Sequence, residues 1–109
     1  MSTGPNRPAE NVITVYIDEG LEEIVPGFLA NRRRDVQTLE TALEQDDFNT
    51  IGVIGHRMRG DGGGYGFDAI SEIGEGMEQA AARQDKVAIR RHLSKLEDFL
   101  ARLTVVYRR

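Results

Sequence analysis

The chain contains no cysteine and no tryptophan, and aromatic residues make up only 6% of its 109 positions. Without cysteine there is no disulfide framework and no thiolate metal site. With so few aromatics the core must rest on Leu, Ile, Val, Met and Ala, a composition that favours helices packed on helices. No apolar run approaches the length of a membrane span, and the opening Met1-Ser2-Thr3-Gly4-Pro5-Asn6-Arg7-Pro8 has no apolar stretch of signal-peptide length. A cytoplasmic protein with no membrane association is therefore expected. Positive charge is not in excess either: 14 lysines and arginines against 18 acids leave a net charge of −4. That balance argues against nucleic-acid binding, which depends on cations neutralising phosphates.

What the chain does have is helical periodicity across one domain's length. Residues 1 to 11 read as a mobile tail. Val12-Ile13-Thr14-Val15-Tyr16-Ile17 is strand-like in composition but has no convincing second strand to pair with, so residues 1–17 are assigned as tail and extended lead-in. Asp18 or Glu19 can open a short helix through Ile24. Pro26 suits the first turn of a helix running to about Gln45, with Phe28, Leu29, Val36, Leu39, Ala42 and Leu43 on its apolar side. That stripe is broken by Arg32 and Arg33, and the cluster Arg32-Arg33-Arg34 reads as a solvated face.

Asp46 or Asp47 can cap the next helix, whose apolar set is Phe48, Ile51, Ile54, Gly55 and Met58. The glycines from Gly60 to Gly66 should weaken or end it, since each costs about 1 kcal/mol relative to alanine inside a helix. A third stripe carries Phe67, Ile70, Ile73, Met77, Ala80 and Ala81. Asp85 can cap a last helix presenting Ile89, Leu93, Leu96, Leu100, Leu103 and Val106 or Tyr107. The expectation is an all-α protein, an antiparallel up-and-down four-helix bundle over residues 18–109 with an extended or short-helical N-terminal lead-in.

The candidate site is His56-Arg57-Met58-Arg59-Gly60, followed by Asp61-Gly62-Gly63-Gly64-Tyr65-Gly66. At about 100° per residue, His56 falls about 150° from the centre of the apolar stripe and should face solvent. Gly52, Gly60 and Gly63 fall on its side of the helix and leave clearance for a bulky partner. Imidazole, with an ordinary pKa of about 6.5, is largely neutral and nucleophilic near neutral pH and can attack phosphorus to form a phosphoramidate. Arg59, one turn on at i+3, can offer paired donors to phosphate oxygens; Arg57 is splayed about 100° away and is the weaker candidate.

Other readings of these residues fail on specifics. A P-loop needs Gly-Lys-Ser or Gly-Lys-Thr, which occurs nowhere, and a dinucleotide fingerprint started at Gly60 meets Tyr65 where its last glycine should stand. A metal site is not expected: His56 has no carboxylate or histidine at i+3 or i+4, and His92 lies on another predicted helix, where it reads as a packing or solvent-edge residue.

These residues carry a resemblance to the histidine-containing phosphotransfer (HPt) domains of bacterial multistep phosphorelays. That family's pattern is His, two variable residues, Lys, Gly, then a small-residue stretch closing on an apolar residue and Gly, and the spacing here agrees throughout. Val25-Pro26-Gly27-Phe28-Leu29, Leu39 to Leu43 with Asp47, and Met77-Glu78 before Ala80-Ala81 and Asp85 also sit at familiar intervals, so the resemblance covers about residues 18 to 103. It implies that His56 accepts a phosphoryl group through Nε2, that Arg59 stands in for the usual lysine, and that Gly60 supplies clearance. It further implies response-regulator receiver domains and a hybrid sensor histidine kinase as partners, with Mg²⁺ held by the receiver and no cofactor or ATP site in this chain. Val53, an exposed apolar residue one turn before His56, is a candidate docking contact. A monomer is expected. The alternative is an HPt-like interaction module that docks on a kinase or receiver without carrying phosphate, motivated by Arg59 and by the dense glycines.

Overall fold

The computed structural model describes residues 11–109, so the expected tail lies, except for Asn11, outside the described residues. Strand β1 (Ile13–Asp18) leads through a single 3₁₀ turn (Glu19–Leu21) to four helices: α1 (Val25–Glu44), α2 (Phe48–Gly64), α3 (Asp68–Ala82) and α4 (Lys86–Arg102). Strand β2 (Leu103–Arg108) follows directly. The helices bury the periodic residues of their stripes. Leu39 and Leu43 of α1, Ile51 and Met58 of α2, Ile70 and Met77 of α3, and Ile89 and Leu96 of α4 are all inaccessible to solvent or nearly so.

Each connection between helices uses the same device. The chain leaves the helix through one residue of positive φ, namely Asp46 (54°), Gly66 (89°) or Gln84 (55°). The next residue donates its N–H back into the last helical turn: Asp47 to Ala42 at 2.8 Å, Phe67 to Gly62 at 2.7 Å, and Asp85 to Ala80 at 2.9 Å. These are Schellman closures, which satisfy carbonyls that the helix end would leave unpaired. Asp47 and Asp85 then cap the following helices by accepting from the Thr50 and Ala88 amides, each at 3.1 Å.

The ends of the chain depart from the sequence-based expectation. The lead-in has a partner after all: β1 pairs in parallel with β2, Ile13 opposite Leu103 through Asp18 opposite Arg108. The last helix does not continue to Val106 or Tyr107 but stops at Arg102. Leu103 fits a helical stripe and an alternating one equally well, and the β-branched Thr104, Val105 and Val106 decide for the strand. Along both strands exposure alternates, with Ile17 fully buried and Tyr16, Thr104 and Val106 outward. Asp18 opens only one 3₁₀ turn, its carboxylate accepting from the Gly20 amide at 2.8 Å.

Two further differences concern the middle of the chain. Helix α2 runs through the glycines to Gly64 instead of ending at them. Arg32 is not part of a solvated face: it is 4% exposed, lies 4.9 Å over the Phe28 ring, and meets Asp35 at 2.9 Å and Asp61 of α2 at 3.8 Å.

Candidate functional site

The site begins with an absence of side chains between α2 and α3. A Cβ on Gly55 would lie 2.8 Å from the Glu78 nitrogen, and one on Gly74 would lie 2.5 Å from the Arg59 nitrogen. Two turns further along α2, a Cβ on Gly62 would lie 2.5 Å from the Ser71 nitrogen. Nothing larger than hydrogen fits at these crossings, so the two backbones touch. That approach places Glu78 of α3 against His56 of α2.

His56 Nδ1 lies 3.0 Å from Glu78 Oε2. In the neutral imidazole a carboxylate, which can only accept, favours the tautomer with its proton on Nδ1 and leaves the lone pair on Nε2. Arg59 Nη2 stands 3.4 Å from the same Nδ1, at the outer limit of a hydrogen bond, and offers a donor to a nitrogen that already holds one; Glu78 therefore sets the tautomer. Arg59 Nε is also 3.6 Å from Glu78 Oε1, so one carboxylate braces both the imidazole and the guanidinium. The His56 side chain is 64% exposed, and its Nε2 makes no hydrogen bond among the described residues.

The glycine-rich turns that follow are held helical from outside. Ser71 Oγ donates to the Arg59 carbonyl at 2.6 Å, Arg32 reaches Asp61, and Tyr65 stacks on Phe28 with centroids 4.3 Å apart. These contacts offset the low helix propensity of glycine at the turn that carries Arg59.

The sequence-predicted residues are placed as follows. Gly52 and Val53, with Phe48 of the same helix, line a groove of about 500 Å³ beside His56 and Glu78, and Ala81 of α3 lines it as well. Val53 is half exposed. Gly60 faces open space and Gly63 meets only the Asp68 carboxylate at 4.0 Å, so both leave room on the outer side of α2 without lining the groove. The charge of Arg57 acts on Asp35 of α1. His92 of α4 is half buried and packs its ring on Gly76 of α3. No cluster of three or more His, Cys, Asp or Glu side chains suited to a metal occurs among the described residues, and no helix among them is long and apolar enough to cross a membrane.

Sequence reasoning had no role for Glu78 beyond its interval in the family pattern, and none for Gly62, Gly74 or Ser71. The available signal was the spacing of Gly55 and Gly62, seven apart on the buried side of α2. Glycines two turns apart there mark a second helix lying against the backbone.

The family model described as the Hpt domain matches residues 23–104. No curated protein and no solved structure matches the chain.

Proposed function

This chain belongs to the Hpt domain family, and on that premise we propose that it carries a phosphoryl group on Nε2 of His56, received from and returned to the aspartates of response-regulator receiver domains. Hpt domains serve phosphorelays as phosphoryl carriers and interact with receiver domains and kinases. The observation that carries the assignment to His56 is the pairing of an exposed imidazole with Glu78 through Nδ1, which leaves Nε2 as the nucleophile.

In the proposed step Nε2 attacks the phosphorus of a partner's aspartyl phosphate. The N–P bond forms as the P–O bond breaks, and the partner's aspartate leaves as a carboxylate. The ring, still protonated at Nδ1, becomes cationic as Nε2 gives up its lone pair. Glu78 opposes that developing charge across 3.0 Å, while Arg59 is within reach of the transferred phosphoryl oxygens. The reverse reaction delivers the group to a second receiver. Gly60 and Gly63 leave the outer side of α2 open to so large a partner. Magnesium belongs to the receiver in this scheme. The hybrid kinase stands upstream, and the carrier acts in the cytoplasm as a monomer.

The test mixes phosphorylated receiver domains with the wild-type chain and with His56→Gln. The expected product is an acid-labile, base-stable phosphoprotein that forms only when His56 is present. No transfer from any receiver that binds the chain would leave the docking-module reading in its place, and phosphate on the His56→Gln chain would move the acceptor to another residue.

A further inference from the structure

Five of the chain's 14 lysines and arginines, against one of its 18 acids, lie between Arg83 and Lys95. That single acid, Asp85, is engaged as the cap of α4. On α4 the residues form a face. At about 100° per residue, Val87 and Ser94 share its midline, Lys86 and Arg90 fall to one side, and Arg91 and Lys95 to the other. Val87 is 74% exposed, more than any other large apolar residue described. Lys86 is paired with Asp46 at 2.7 Å, and Arg83 is 4.0 Å from Asp85. Arg90, Arg91 and Lys95 form no ion pair among the described residues. A shallow groove of about 440 Å³ runs along this face between Lys86 and Ser94.

His92 lies within the field of these same cations. Burial against Gly76, then the charges of Lys95 and Arg91 on α4 and of Arg83 at the end of α3, hold its pKa below the ordinary imidazole value. Beyond Arg90 the surface turns acidic at Glu40, Glu44 and Glu97, which bounds the patch on that side.

We propose that the outer face of α4, centred on Val87 and flanked by Arg90, Arg91 and Lys95, docks an acidic segment of a partner protein that places an apolar side chain on Val87. Charge complementarity selects the acidic partner, because unpaired cations are concentrated here on a chain of net charge −4. The apolar midline selects a polypeptide, since a nucleic-acid backbone or a free anion gains nothing from a valine at the centre. The face lies on α4, while His56 is on α2, so the proposal does not rest on phosphate transfer.

The experiment titrates the isotope-labelled full chain with a glutamate-rich peptide bearing leucines, with a thymidine single strand and with inorganic phosphate. The peptide should shift the amides of residues 83–95 and raise the His92 titration midpoint while leaving the His56 ring signals in place. Arg90→Glu with Arg91→Glu should weaken binding about tenfold or more, and Val87→Ser about threefold or more for the peptide alone. All three substitutions are on exposed positions, and circular dichroism of each variant checks the fold. The proposal is overturned if the peptide shifts the His56 groove instead or shifts nothing. It is also overturned if phosphate alone reproduces the effect, or if the single strand binds as tightly and Val87→Ser leaves both affinities unchanged.

Discussion

Gly55 of α2 and Gly74 of α3 meet backbone to backbone: a Cβ on Gly55 would stand 2.9 Å from the Gly74 carbonyl oxygen, and one on Gly74 2.7 Å from the Gly55 carbonyl oxygen. The obstacles are main-chain atoms, which cannot swing aside. Gly55→Ala should therefore destabilise the fold by about 2 kcal/mol, as overpacked cores do. It should also slow transfer to His56, because the same displacement withdraws Glu78. Gly60 faces open space, and Gly60→Ala should instead raise stability by about 1 kcal/mol through helix propensity. Urea unfolding midpoints of the two variants check the opposite signs.

Glu78 is expected to act on the imidazole and not on the fold. Glu78→Ala and Glu78→Gln should both slow phosphorylation of His56, the alanine variant by tenfold or more, roughly the loss of one charge-assisted hydrogen bond. Thermal midpoints should change little, since the pair is at the surface. Nitrogen NMR of the His56 ring gives the deciding reading: wild type should hold its proton on Nδ1, and Glu78→Ala should redistribute it between the two nitrogens. An unchanged ring spectrum would mean that Glu78 does not set the tautomer.

The cap of α2 makes stability depend on acid. Asp47 accepts from the Thr50 hydroxyl at 2.7 Å and the Thr50 amide at 3.1 Å, and these bonds hold its carboxyl below the ordinary 3.8. A depressed folded-state pKa adds stability above the unfolded value and loses it as pH falls through the folded one. Asp47→Ala should thus lower the denaturation midpoint at pH 7, and the gap between variant and wild type should narrow steadily below about pH 4. Paired urea titrations across that range give the comparison.

Arg32 and Asp35 are a buried pair, with Asp35 held above the ordinary carboxylate range chiefly by burial and pulled back in part by Arg32. Arg32→Ala should cost about 3 kcal/mol, because it strands the carboxylate. Replacing both, as Arg32→Met with Asp35→Leu, should recover most of that loss. A double variant no more stable than Arg32→Ala would show that the pair is needed where Arg32 covers Phe28 and reaches Asp61 of α2, and not merely tolerated there.

The helices were legible in the sequence because each carries its apolar stripe and two carry an aspartate cap, so local chemistry and burial agree at Asp47, Asp85 and the residues they precede. His56 and Arg59 were legible for a similar reason: they are close in sequence, and helical spacing alone relates them. Glu78 was not, because its meeting with His56 depends on a crossing between two helices, and that crossing depends on Gly55 and Gly74 being recognised as contact points. The β1–β2 pairing was hidden by distance, since Val105 gives no local sign of its partner Val15 at the far end of the chain. Arg32 misled for the opposite reason. Three arginines in a row look like a surface, and only Phe28, Asp35 and Asp61 together show why one of them is inside.

The parallel ladder of β1 and β2 has a mechanical consequence. Chain enters the ladder at Ile13 and leaves it at Arg108, and in the register observed these lie at opposite ends of the two strands. A force drawing the flanking segments apart would load the strands in shear, stressing all of the ladder's hydrogen bonds together, where a hairpin pulled from its open end would release them one at a time. The helices would stay shielded from tension until that ladder gave way.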